Sequence, residues 1–207
     1  RFENRGGKIY LGSGGGSRVR NRGTLRAPKV QIKAPTGTVE NSGMIDAGSE
    51  VGNGGEIEIE AESVIGTVGG FLKTTGLNNG GSIKITASGE LRLDDSITAV
   101  GEKGFGGSIR LTGDTVTLGD HAGIDASGAT GGGTILVGGG RAGRDDSIAN
   151  ARITTIAEGA GLSANTTGSV GDGGTVILWA DDTMDFRGSV QNRGAGSGAG
   201  GFTEVSG

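Results

Sequence analysis

Three adjacent carboxylate pairs, Asp94–Asp95, Asp145–Asp146 and Asp181–Asp182, are the residues of this chain with the plainest capacity for chemistry. Paired carboxylates cleave glycosidic bonds when both face one cleft, one as acid and the other as base or nucleophile. Neighbouring residues of an extended strand point to opposite faces, so each of these pairs diverges. All three stand where apolar runs end, and Asp at such places builds turns. His121, in "LGDHAGIDASG", has neither a second His nor any Cys in the chain to complete a zinc site or a His-based triad. The "GDGG" at 171–174 occurs once, so the repeated nonapeptide of calcium-binding β-rolls is not built. "GSGGG" and "GGGRAG" resemble phosphate-binding loops, yet no G-K-[ST] follows and no helix is expected after them. The side chains point away from catalysis, and neither a metal nor a cofactor is expected.

Composition bounds the rest. Of 207 residues 48 are Gly, only 3% are aromatic and 32% are hydrophobic. Glycine at that level without a strict G-X-Y period excludes collagen and favours disorder, but alternating Ile, Val and Leu runs oppose disorder. Such a chain can bury a thin, repetitive core rather than a thick one. A net charge of −4 gives no case for nucleic acid, and no apolar run approaches the length of a membrane span. The chain starts at Arg1 with no signal peptide, which reads as an internal fragment or a processed chain.

The elements that position these residues emerge when the glycine pairs are aligned. They close at Gly55, Gly81, Gly107, Gly133, Gly174 and Gly201, in steps of 26, 26, 26, 41 and 27 residues. The same alternation follows each pair: "EIEIEA", "SIKITA", "SIRLTG", "TILVGG", "TVILWA" and "FTEVSG". "KIYLGS" after Gly7 and "KVQIKA" after Pro28 share the register. A second pattern gives Leu91 and Leu93, then Val116 and Leu118. A third gives Ile45 and Ala47, Ile97 and Ala99, Ile124 and Ala126, Leu162 and Ala164. A fixed period with β patterning means a solenoid. The expected fold is all-β, a right-handed parallel β-helix of about eight coils of ~26 residues with three short strands per coil. At roughly 4.8 Å per coil it forms a rod roughly 40 Å long. Residues 1–207 make one solenoid segment, with an extra-long excursion at 138–152 inside the 41-residue step.

Parity assigns the faces. Ile57 and Ile59, Ile83 and Ile85, Ile109 and Leu111, Ile135 and Val137, and Val176 and Leu178 point inward as an aliphatic stack. Outward positions place Lys29 beside Glu56, Lys33 beside Glu60 and Glu58 beside Lys84. The basic stretch from Arg18 to Lys33 therefore reads as one side of a charge ladder rather than as a polyanion site. A flat Thr array of the ice-binding kind would need Thr115 and Thr117 repeated in each coil, and their equivalents read as Leu91 and Leu93.

"VRNRGTLRAP" at 19–28 and "VENSGMIDAG" at 39–48 share an N-x-G-x-(I/L)-x-A pattern. With "GGTVILWADDTMDFRGSVQNRG" and the following "GGFTEVSG", they make the chain resemble filamentous haemagglutinin-like large exoproteins, the adhesins of two-partner secretion systems. "NARITTIAEGAGLSANTTGSVGDGG" fits that family's run into the tryptophan block. The resemblance implies a β-helical shaft, extracellular or at the surface of a Gram-negative-type bacterium, serving adhesion, biofilm or filament structure. It also implies an outer-membrane secretion pore as a partner during export. Two features depart from the pattern. Thr203 stands where the family carries a hydrophobic residue, and the N-terminal secretion domain is not recognisable in these residues.

Trp179, the single tryptophan, sits at an outward position with Ile177, and Leu136 and Phe202 lie in the coils on either side. These four residues form a possible contact patch, because an apolar patch on a rod indicates contact. Its occupant is either the 138–152 excursion folded back, with Ile148 or Ile153 on the ring, or a neighbouring chain or glycan. The reading is thus a non-catalytic structural shaft of a secreted adhesin or extracellular filament. The alternatives are a carbohydrate-binding matrix protein using Trp179 and, behind it, a polysaccharide-degrading β-helix enzyme. Expected partners are copies or further coils end to end, since neither terminus offers a cap, and host or matrix glycans. Nine Lys or Arg and one Glu in residues 1–33 disfavour pairing of identical N-terminal ends.

Overall fold

Alternation of β-branched and polar residues over short runs gives strands, and the glycine-rich segments between them turn the chain back to start the next strand beside its predecessor. The computed structural model describes residues 7–207, and of residues 2–5 the backbone only. Apart from one short 3₁₀ turn at Arg141–Gly143, its regular structure is β, arranged as a parallel β-helix.

The strands stack in three ladders. One runs from Lys8–Gly12 through the first halves of Lys29–Asn41 and Glu56–Gly66 to Ser82–Ala87, Ser108–Thr112, Thr134–Val137, Thr175–Trp179 and Phe202–Ser206. A second joins Arg18–Asn21, the later halves of the two long strands, Glu90–Leu93, Thr115–Leu118, Ile153–Ile156 and Thr183–Phe186. The third runs from Thr24–Arg26 and Met44–Asp46 through Phe71–Lys73, Ser96–Thr98, Gly123–Asp125 and Gly161–Ser163 to Ser189–Gln191. Lys29–Asn41 turns the corner between the first two ladders without ending, with a register shift between Ala34 and Thr38, so those ladders belong to one sheet.

Among the described strands one pairing is antiparallel, and an isolated antiparallel bridge joins Gly171 to Ala195. Phe2–Arg5 pairs antiparallel with Lys8–Gly12, so the first strand of the ladder is flanked by a hairpin arm. The chain's start was expected to offer no cover, and this arm departs from that expectation. Arg1, Gly6 and the side chains of 2–5 lie outside the described residues. At the other end Val205 pairs with Leu178 but is 41% exposed, against 0% for Leu178.

All ten residues of the aliphatic stack, from Ile57 and Ile59 to Val176 and Leu178, lie at 1% exposure or less. Ile57 aligns with Ile83, Ile83 with Ile109, Ile109 with Ile135 and Ile135 with Val176. Each buried member is worth roughly 1.5–3 kcal/mol of transfer free energy. Like side chains meet like because parallel in-register pairing superposes equivalent positions. The corner that feeds this ladder has no room for side chains. A Cβ on Gly81 would lie 2.1 Å from the Gly55 carbonyl oxygen, so the coils approach there through glycine alone.

Outward positions carry the charges. Lys29 Nζ meets Glu56 at 2.7 Å and Lys33 Nζ meets Glu60 at 2.8 Å. Arg18 and Arg20 share Glu40, and Arg26 pairs with Asp46. Glu58 is level with Lys84 in register, but its carboxylate accepts from Gln31 Nε2. The basic stretch is thus largely matched by the carboxylates of the following coil. Such surface pairs are worth less than about 1 kcal/mol each; they favour one register more than they stabilise the fold. One alignment needs correcting. Thr115 and Thr117 lie level with Glu90 and Arg92, while Val116 and Leu118 match Leu91 and Leu93. A one-residue slip exchanges the faces of a strand, and the outward row remains too mixed for a flat threonine array.

Replacing Ile83 or Ile109 by Asp puts an unpaired charge into the stack and is expected to abolish the β circular dichroism signal. Lys84→Glu, beside Ile83 but exposed, is expected to cost at most about 1 kcal/mol. Equal loss of signal in the two kinds of variant would overturn the assigned faces.

Candidate functional site

Trp179 closes the strand Thr175–Trp179 and is half-buried. Its strand neighbour Ile177 is only 5% exposed although it stands outside the central core cluster. Something other than the coil interior therefore covers it. The chain segment 138–152 lies against the end of this strand; it leaves the first ladder after Thr134–Val137 and enters the second at Ile153–Ile156. Ile148, within that segment, is also 5% exposed.

Contact with the indole is made by glycines. A Cβ on Gly139 would lie 2.8 Å from Trp179 Cδ1, and one on Gly143 would lie 2.5 Å from Cε2 and Cζ2. Gly143 also has φ +61°, so any side chain there is both strained and blocked. Ala142 before it holds φ +53°, which is uncommon for a residue with a Cβ. Ile148 Cδ1 lies beside Gly140, and Ile153 opens the next strand. In the run "GGGRAG" Gly139 and Gly143 meet the flat ring, while Gly138 lies against the Trp179 carbonyl and Gly140 against Asp145.

Polar groups fasten the segment. Trp179 Nε1–H donates to Asp181 Oδ1 at 2.7 Å, and Asn150 Nδ2 donates both to that oxygen and to the Gly143 carbonyl at 3.0 Å. Thr154 Oγ1–H donates to the Trp179 carbonyl at 2.7 Å. The segment then reaches one coil further. The Arg141 guanidinium stands 4.6 Å from the centre of the Phe202 ring, and the Ala142 N–H donates to Glu204 Oε1 at 2.9 Å. Cation–π contacts of this kind are worth about 0.5–1 kcal/mol when exposed. Residues 138–152 therefore strap the Thr175–Trp179 strand and reach the following Phe202–Ser206 strand.

The expected contact patch is accordingly redistributed. Leu136 is half-buried and level with Ile177; Phe202 is 41% exposed and level with Thr175, in a different row. Ile177 is not surface at all. Arg141, Gly139, Gly143 and Asn150 complete the arrangement and were not singled out from sequence. The signal that could have found them was the coincidence of a glycine run with an insertion one coil before the tryptophan.

The carboxylate pairs do not form clefts. Asp94 Oδ1 accepts the His121 backbone N–H at 2.8 Å, with His121 Nδ1 at 3.4 Å, while Asp95 turns the other way and is 2% exposed. Asp181 holds the indole and Asp182 faces Arg152 at 3.5 Å. Asp145 accepts the Ser147 hydroxyl and N–H; these bonds, the hydroxyl's first, hold its carboxyl below the ordinary carboxylate range. Asp172 of "GDGG" accepts the Ala199 N–H at 2.7 Å. Among the described residues no group of three or more His, Cys, Asp or Glu converges as metal ligands. An open groove of about 800 Å³ follows the glycine corner, edged by Asn53, Asn79, Ser82, Ser108 and Thr134. Its ionisable members, Lys29 and Glu56, neutralise each other. Such a surface can form hydrogen bonds; it holds no acid–base pair.

With this geometry in hand, the chain can be set beside known proteins. No family model matches it, and no curated protein matches it. Among solved structures it is similar to the HMW1 secretion domain from Haemophilus influenzae, with a TM-score of 0.78 and 26% sequence identity. The likeness covers 97% of this chain and 59% of that one. It is thus with a secretion domain, the part that the sequence motifs did not point to. Among the described residues no helix is long and apolar enough to cross a membrane.

Gly143→Val is expected to expel the indole from the strap and shift tryptophan fluorescence to longer wavelength, leaving the β circular dichroism intact. An unchanged emission maximum would show that the strap does not cover the ring.

Proposed function

We propose that the chain is a shaft segment of a secreted or surface-attached bacterial adhesin or extracellular filament, exported by two-partner secretion and without catalytic activity. In this reading it is a right-handed solenoid of about eight coils with three strands each, roughly 40 Å long. The observation that carries the proposal is the unbroken inward stack from Ile9 to Leu178 joined to outward faces on which acidic groups are spent on turns, caps and ion pairs. A rod that invests its side chains this way holds distance and direction. The likeness to the HMW1 secretion domain supports the export route, and the sequence resemblance supports the adhesin class. The location follows as extracellular, at the surface of a Gram-negative-type bacterium. Its partners would be further coils or copies end to end, matrix or host glycans, and the secretion pore during export.

Purified chain incubated with acidic and neutral polysaccharides is expected to leave their size distribution unchanged; cleavage that persists through purification would overturn the non-catalytic reading. Glycan-array binding that disappears in Trp179→Ala would instead favour a carbohydrate-binding matrix protein.

A further inference from the structure

The corner between Glu90–Leu93 and Ser96–Thr98 contains a carboxyl group that no other part of the molecule uses. Asp95 is 2% exposed, and neither of its oxygens has a hydrogen-bond partner. Its seat is made by a missing side chain. A Cβ on Gly66, in the preceding coil, would lie 2.5–2.6 Å from all three carboxyl atoms. The carboxyl therefore fills the place of a Gly66 side chain and faces Asn41 one coil further back. Asn41 belongs to a buried polar row: Asn21 Nδ2 donates to Asn41 Oδ1 at 2.8 Å, and Asn41 Nδ2 donates to the Gly43 carbonyl at 3.1 Å. The row is neutral in two coils and acidic in the third.

The charged surroundings offer no counter-ion. The corner 66–70, "GTVGG", and the corner 41–43, "NSG", hold no titratable group. Glu40 beside them is taken by Arg18 and Arg20. On the other side stands Asp94, a like charge, which turns to the His121 backbone N–H. An ionised carboxyl buried without a counter-ion is costly.

We propose that the Asp95 corner is a pH-sensitive joint between neighbouring coils, closed while the carboxyl is neutral and loosened when it ionises. Burial pushes the Asp95 carboxyl up to about 7; the nearby Asn41 amide and the residue's own backbone N–H offset part of that push, neither in a hydrogen bond of ordinary geometry. The direction follows from proton linkage. The folded chain keeps a proton that the unfolded chain has released, so stability falls as pH rises from the ordinary carboxylate range to about 7. Below that window the group contributes nothing, and above it the penalty is complete. The bonds that would loosen are those that carry the corner: Asp94 N–H to the Gly66 carbonyl at 3.0 Å and Ser96 N–H to the Gly70 carbonyl at 3.2 Å.

The test compares the parent chain with Asp95→Asn in thermal unfolding from pH 4 to pH 8.5. The gap in Tm in favour of Asp95→Asn is expected to widen by several degrees with rising pH and to level off above about 7. His121→Ala, which removes the chain's single histidine and the imidazole beside Asp94, should leave the gap unchanged. Amide exchange, corrected for its intrinsic pH dependence, should show Asp94 and Ser96 losing protection at pH 8.5 in the parent chain alone. A gap independent of pH, a gap that vanishes with His121, or equal protection at both pH values would overturn the joint. The exchange measurement on the parent chain decides the matter even if Asp95→Asn folds poorly.

Discussion

Each coil of this protein is bound to the next by backbone hydrogen bonds between parallel strands, and that spacing of roughly 4.8 Å leaves every side chain directly beside its equivalent. An isoleucine under an isoleucine packs well, and a lysine under a glutamate is paired. A carboxylate under a carboxylate would be repelled. The inward stack, the charge ladder and the glycine corners are three responses to this one constraint. It explains why so few aromatics are used, since a bulky ring would have to be accommodated by both neighbouring coils. It also explains how acidic and basic stretches can alternate by coil while the surface stays nearly neutralised.

Where the chain departs from repetition, the departure has a local physical reason. The 138–152 segment supplies what the ladder could not, a side-chain-free face for Trp179. By reaching Phe202 and Glu204 it couples one coil to the next through side chains as well as backbone. A solenoid is stabilised chiefly by nearest-neighbour contacts between its repeats. A strap that extends those contacts resists local unzipping where it lies. Asp95 acts in the opposite sense, because its ionisation weakens a contact between adjacent coils. The rod is therefore not uniform along its length, and its irregular residues are the ones that set local stiffness.

The Asp pairs show how position rather than composition decides chemistry. Asp94, Asp145, Asp172 and Asp181 hold backbone or indole N–H groups at turns and caps. Carboxylates committed to such bonds are well placed to keep a corner closed and poorly placed to act on a substrate. The divergence expected of adjacent strand residues holds for Asp94 and Asp95, which serve opposite coils. Of the six paired Asp residues Asp95 alone is buried, and no feature of the dipeptide distinguishes it from its neighbour.

Periodic features were legible in the residues themselves. The 26-residue step, the inward identity of Ile57 through Leu178 and the alignment of Lys29 with Glu56 follow from counting, because parallel in-register pairing repeats one decision in every coil. The outward position of Trp179 followed from the same parity. Tertiary structure alone decided what happens once per chain. That Ile177 is buried and that Gly139 and Gly143 meet the indole depend on the path of a segment with no period. The antiparallel arm at Phe2–Arg5 and the seating of Asp95 over Gly66 are of the same kind. A repeat is specified again in every coil and so can be read from any of them. A single contact between residues 29 or 36 positions apart is set by shape and burial, and exists only once the chain has folded.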